Sequence, residues 1–343
     1  MKNENNQDVV KTRNSNVECM RVTLTFFVCL LHVISQGGYN VPWFANLFHW
    51  CVAGFVFISG WFGIRFSLSK LVALLCINIY CSFAFVTFDF FIGNWSGGVV
   101  DFLIYGLKES KGQWFFNAYI ILMCFAPLCN IFCDEMSNRF KNGEVKLVLT
   151  SLIPVLVCIF GWSFATTLPF LNLIVPKSSG LTELSFLTLI GIYIVARLLH
   201  QNKQLMIKYV SFFSNKGLMV FFVGVVLFLA SMGLSNLNSP IAVILAGLMF
   251  FLFSHIRMSL YWGLICKWLA PSMFSIYLLH VHRAGWQYIK VIEQYFVMEL
   301  GLSVYLTFLL TALLIFTVCL VLDVPRRLFV FGWKNFIKGC RNG

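Results

Sequence analysis

The stretch ECMRVTLTFFVCLLHVIS, residues 18–35, decides how the rest of the chain is read. It is long and apolar enough to approach the roughly 20 residues a helix needs to cross about 30 Å of hydrocarbon. Yet it carries Glu18, Arg21 and His32, and ionisable groups inside a membrane are costly unless they face a bundle interior or a wet cavity. Arg21 and His32 are eleven residues apart, which on an α-helix is about 16.5 Å of rise and about 20° from three full turns. They therefore share one helix face. Glu18 lies three residues before Arg21, on the same side, where it can pair with and orient the guanidinium. The alternative for Arg21 taken singly is a cation snorkelling at the interface, and for His32 a satisfied packing histidine.

Working outward, 59% of the 343 residues are hydrophobic, 17% aromatic and 11% charged. A soluble domain of ordinary composition carries about 25% charged residues, and a soluble fold has too little interior to hide this much apolar surface. The expected class is an all-α membrane protein. The segment before Glu18 is polar, and no small-residue cleavage site follows the apolar run. The first helix is therefore expected to be an uncleaved span and not a signal peptide.

Ten apolar stretches are expected to span, centred near Cys29, Phe55, Cys81, Met123, Cys158, Ile190, Val225, Leu248, Ile276 and Leu313. The ninth is short, with Lys267 and Pro271 inside it and polar residues after His280. The segments 134–146 and 200–216 read as polar loops. With the N-terminus in the cytoplasm, 20 of the 25 Lys and Arg fall on the inner side. The positive-inside rule then sets both termini in the cytoplasm. This bias accounts for most of the net charge of +12, and scattered basic residues do not form a nucleic-acid stripe. No nucleic-acid partner is expected. The 12 Cys lie mostly in apolar runs, without zinc spacing, and read as small buried apolar residues; no metal is expected. The domain plan is a cytoplasmic tail over 1–17, a transmembrane domain over 18–324, and a basic cytoplasmic tail over 325–343.

Four blocks carry a resemblance. They are Glu18-x-x-Arg21 with Arg21-x10-His32, FVFISGW (55–61), GQWFFNAYIILMCFAPLCN (112–130) and SMFSIYLLH (272–280). In this order they resemble the signature of the acyltransferase-3 family: an acidic-x-x-Arg start with Arg-x10-His on the first span, Phe-x-x-Ser-Gly on the second, a Trp-Phe…Tyr…Pro-Leu helix, and Ser-x-x-Ile-Tyr-Leu-x-His near the C-terminus. The resemblance implies an integral-membrane transferase moving an acyl group, usually acetyl, from acyl-coenzyme A to a hydroxyl of a sugar or lipid-linked glycan. It implies that Arg21 and His32 are the functional pair. Many members carry a paired Arg/Lys run after the Ser-Gly motif, and here Arg65 and Lys70 stand in that stretch. The fused extracytoplasmic domain of some members is not expected, and the membrane implied is a bacterial inner membrane.

The chemistry agrees with these residue types. Acyl transfer to a hydroxyl needs a base on the alcohol and a site that excludes water. Burial disfavours imidazolium, so a histidine in mid-membrane is expected to be neutral and able to take a proton. Arg21 at the cytoplasmic mouth suits the phosphates of acetyl-coenzyme A as donor substrate; no bound cofactor is expected. His32 acts either as general base or by first taking the acyl group as an acyl-imidazole. His280 either lines the acceptor side or packs at the interface. Ser59-Gly60 suits close helix approach better than nucleophilic attack, because no base adjoins it in sequence. Trp114 and Tyr277 either stack on sugar rings or belong to interfacial aromatic belts. Asp89 and His49 read as loop-end or cavity residues near the outer face, and Asp323 as a partner for Arg326 or Arg327. A different class, a glycan or small-molecule exporter, also needs many spans, but would show repeated halves with broken helices. No repeat is visible.

Overall fold

The computed structural model describes residues 14–39, 41–93, 97–109, 114–139, 186–209, 214–234, 240–282 and 285–342. The expected span near Cys158 lies outside them. The described residues form helices, with no strand among them. In chain order the helices are α1 (Ser15–Gln36), α2 (Pro42–Asn46), α3 (Cys51–Phe62), α4 (Leu68–Phe91), α5 (Val99–Glu109) and α6 (Trp114–Arg139). They continue with α7 (Phe186–Gln201), α8 (Lys203–Tyr209), α9 (Lys216–Leu229), α10 (Pro240–His255), α11 (Leu260–Leu269), α12 (Met273–His280), α13 (Gly285–Gln294) and α14 (Val304–Asn342).

Among the described residues, six segments are long and apolar enough to cross a membrane: Ser15–Gln36, Pro42–Phe62, Leu68–Phe91, Trp114–Asn138, Leu260–His280 and Val304–Gly332. Three shorter apolar helices, Thr188–Gln201, Lys216–Met232 and Ile241–His255, stand where the sequence places further spans. Large apolar side chains such as Phe91, Leu128, Phe221, Leu260 and Phe329 are exposed on the outside of the bundle. A water-soluble monomer rarely shows so much contiguous apolar surface, whereas lipid is the solvent that suits it. The chain is a multi-pass integral membrane protein.

The ninth span is not cut short by Pro271. α11 and α12 are joined by a 3₁₀ turn over Ala270–Ser272, with the proline at its start. There the missing amide N–H costs nothing, because the first turn leaves its amides unsatisfied anyway. The apolar path therefore continues to His280. Elsewhere helix ends and hydropathy part company. α6 runs to Arg139, α8 occupies part of the 200–216 stretch, and α14 passes through Pro325 without a break. Polar residues mark where a helix leaves lipid, and a helix can continue into water.

α1 sits at the centre, packed against α2, α3 and α10 through α14. Asn14 caps it by accepting a hydrogen bond from the Asn16 amide at 3.0 Å. Its run of apolar residues is free of Gly and Pro. Met20, Leu24, Val28, Val33 and Ile34 are buried among its neighbours. A central helix in contact with this many others is where polar side chains can be kept away from lipid.

Candidate functional site

His32 lies four residues before the end of α1 at Gln36, about 6 Å short of it by helix rise. It is therefore nearer the end of its span than the middle. Its partner is supplied by α12, whose last residue is His280. His32 Nδ1 and His280 Nε2 are 2.9 Å apart, with ring centroids 5.0 Å apart. His280 Nδ1 is 2.9 Å from the carbonyl oxygen of Ile276, one turn earlier on its own helix. His280 is 5% exposed, whereas His32 is half-buried. Two residues 248 positions apart in sequence thus form one hydrogen-bonded unit.

The other motif blocks converge on that unit. The Tyr277 ring meets His280 edge-on at 5.7 Å and Phe115 at 5.1 Å. Phe115 in turn meets Trp114 at 5.6 Å, Tyr119 at 6.0 Å and Phe55 at 6.5 Å. Trp114 is half-buried, and Tyr277 is buried in the core. Tyr277 is therefore packed within the bundle and is no part of an exposed belt. Ser59 donates its hydroxyl to the Phe55 carbonyl at 2.9 Å and lies 3.4 Å from the Tyr119 hydroxyl. No base among the described residues bonds it. Beside it, a Cβ on Gly60 would collide with the backbone oxygen of Tyr193 and come within 2.9 Å of its Cα. Only hydrogen fits between α3 and α7.

Arg21 and Glu18 form the pair that their spacing suggests, with NH1 donating to Oε1 at 2.8 Å. The Arg21 side chain is 36% exposed and that of Glu18 4%. Glu18 Oε2 is buried and has no hydrogen-bond partner among the described residues. At this end of α1, Asn14, Ser15, Ser259, Gly263 and Lys267 line a cavity of about 230 Å³. Arg65 and Lys70 are exposed, with Lys70 donating to the Arg65 carbonyl at 3.5 Å. Asp323 selects Arg326, through Nε at 2.6 Å and NH2 at 2.8 Å. Arg327 instead lies over the Trp268 ring at 4.5 Å. Asp89 accepts from the Tyr288 hydroxyl at 2.6 Å. Among the described residues, no group of three or more His, Cys, Asp or Glu is placed to hold a metal ion.

Sequence reasoning misses two features. The first is a polar knot in which the Tyr193 hydroxyl accepts from the Ile64 amide at 2.8 Å and donates to Asn130 Oδ1 at 2.8 Å. Asn130 also donates to the Ile64 carbonyl at 3.0 Å. An asparagine beside Cys129 in an apolar run was the available signal. The second is Glu293, fully buried on α13 between the last two long spans. Its Oε2 accepts from the Gly38 amide at 2.7 Å, just past the end of α1. A Cβ on Gly37 would land on this carboxyl group. Burial, outweighing hydrogen bonds from the Gly38 and Tyr39 amides, pushes the Glu293 carboxyl up to about 7. The visible hint is spacing: Trp286, Ile289 and Glu293 follow an i, i+3, i+7 pattern, which puts the acid on the apolar stripe of its helix.

The profile of a family described as an acyltransferase domain matches residues 14–324. No curated protein and no solved structure matches the chain.

Proposed function

The chain belongs to the acyltransferase-3 family, and on that premise we propose a membrane O-acyltransferase that moves an acyl group, acetyl in the simplest case, from cytoplasmic acyl-coenzyme A to a hydroxyl of a cell-surface or lipid-linked glycan. The observation that carries this reading is the His32–His280 contact at 2.9 Å, a half-buried imidazole held at the end of a span by a buried one. A positioned histidine is the usual group for taking the proton of an attacking hydroxyl. The hydroxyl oxygen attacks the thioester carbonyl, His32 receives its proton, and the coenzyme A thiolate leaves and is reprotonated. An acyl-imidazole on His32 is the covalent variant of the same scheme.

The opposite end of α1 suits the donor. Arg21 keeps guanidinium N–H groups beyond the single bond to Glu18, and Lys267 lines the neighbouring cavity. Both offer cationic donors to phosphate. The rise from Arg21 to His32, about 16.5 Å, is on the scale of a pantetheine arm, so the nucleotide stays at the mouth while the thioester reaches the histidine. The inner membrane of a bacterium, with both termini cytoplasmic, is the setting that this reading requires.

Purified protein in detergent, given labelled acetyl-coenzyme A and glycan, tests the proposal. Label is expected on the glycan in ester linkage. Passage of glycan across reconstituted vesicles with no covalent change would replace the enzyme with an exporter. Label trapped on the protein without acceptor, and absent from His32→Ala, would select the covalent route.

A further inference from the structure

We infer that His280 is a positioning residue that fixes His32 in a single tautomer, with the proton on Nδ1 and the lone pair on Nε2. The inference rests on the acyltransferase reading above and assigns the reacting atom within it.

The Ile276 carbonyl oxygen can only accept, so the 2.9 Å contact requires a proton on His280 Nδ1. In a neutral imidazole one nitrogen donates and the other accepts. His280 Nε2 is then the acceptor. It faces His32 Nδ1 at 2.9 Å, so His32 must supply the proton between them. The remaining nitrogen, His32 Nε2, carries the lone pair and has no hydrogen-bond partner among the described residues. A peptide carbonyl on α12 thus dictates, through two imidazoles, which atom of α1 takes the proton of the attacking hydroxyl. The second nitrogen of a catalytic histidine is commonly fixed by such a partner. Here the partner is another histidine and not a carboxylate.

The reaction balances along this line. Nε2 accepts the hydroxyl proton as the new C–O bond forms and the C–S bond breaks. His32 is then an imidazolium whose Nδ1–H remains bonded to His280 Nε2. The proton passes to the departing thiolate, and the pair returns to its starting state. In this scheme His280 meets His32 and the Ile276 carbonyl and takes no part in bond making or breaking. Its contribution is orientation, tautomer choice and a hydrogen bond to the transient cation.

Two variants and two measurements test this. His280→Gln keeps an acceptor oxygen close to the position of Nε2, while His280→Leu keeps bulk without an acceptor. Nitrogen NMR of full-length, histidine-labelled protein in detergent reads the tautomer of each of its 6 His. His32 is expected as the Nδ1–H form in the wild type and in His280→Gln. It should shift toward the Nε2–H form in His280→Leu. In the transfer assay kcat is expected to fall about 10- to 100-fold in His280→Leu, on the scale at which lost positioning acts. The donor KM should stay within two-fold, and His280→Gln should recover most of the loss. An Nε2–H form of His32 in the wild type, or an unchanged tautomer in His280→Leu, would overturn the inference. Equal damage from Leu and Gln would also overturn it, by reducing His280 to a packing residue. The spectra do not depend on turnover, so an absence of acyl transfer would count against the enzyme reading and leave the tautomer result to stand or fall separately.

Discussion

Two ion pairs in this protein have the same spacing and opposite character. Glu18–Arg21 and Asp323–Arg326 both join residues three apart on a helix. In the second, the carboxylate is fully buried and receives two guanidinium bonds at 2.6 and 2.8 Å. A third guanidinium bond goes to the Pro271 carbonyl at 3.1 Å, locking α14 to the turn between α11 and α12. In the first there is one bond, at 2.8 Å, and the Arg21 side chain is 36% exposed. The pair on α14 commits three guanidinium N–H groups within the protein. The pair on α1 keeps capacity in reserve, as a group that must meet a substrate does. Identical spacing in sequence gives no hint of this difference.

Asp323 carries the structural half of this contrast. Asp323→Ala leaves Arg326 charged and without its carboxylate in a largely buried site, a loss of up to about 3–5 kcal/mol for a buried pair. Thermal unfolding and size-exclusion of the detergent-solubilised variant should show a large drop in stability or no monodisperse protein. A variant as stable as the wild type would remove the structural role given to this pair.

The next largest effect is catalytic. His32→Ala should insert and fold, because it makes α1 more apolar, while transfer falls by a factor of about 10² to 10⁴. Activity within a few-fold of wild type would end the assignment of His32 as base. Arg21→Ala leaves the buried Glu18 carboxylate without its partner, so it is paired with Glu18→Gln, which removes the stranded charge. Losing a charged hydrogen bond to phosphate, about 1.5–3 kcal/mol, should raise the donor KM roughly 10- to 100-fold. Arg21→Lys should recover only part of this, because an ammonium cannot reproduce the planar fork. Unchanged donor KM in Arg21→Ala would make the two ion pairs alike after all.

Glu293 supplies the smallest and subtlest contrast, a buried carboxyl with no cationic partner among the described residues. Its folded value of about 7 lies above the ordinary 4.5. The folded state therefore binds more protons between those values, and stability falls as pH rises through that window. It is fully retained below about 4.5 and levels off above about 7. Glu293→Gln should flatten the slope of melting temperature against pH. A slope equal to the wild type's would place the titration elsewhere.

What the sequence discloses follows from what hydropathy and spacing measure. Membrane class, the central first helix and the four motif blocks are legible because each depends on residues close together in the chain. The meeting of His32 with His280 is not, since it depends on α1 and α12 becoming neighbours. The ninth span reads as a short one from Lys267, Pro271 and the polar residues after His280, whereas Pro271 sits in a turn that carries the apolar path on to His280. Glu293 escapes because one acid among exposed polar residues has no local mark of burial.

Gly60 acts as a shim of zero thickness between two backbones. Its neighbour across the gap is main chain, which cannot rotate aside as a flexible side chain would. A methyl group there must displace α3 bodily, and α3 carries Phe55. Phe55 touches Phe115, Phe115 touches Tyr277, and Tyr277 touches His280. The tolerance of the whole stack is thus set at a position that never approaches the reacting atoms. A side chain at residue 60 is excluded by mechanics alone, even though no chemistry is done there.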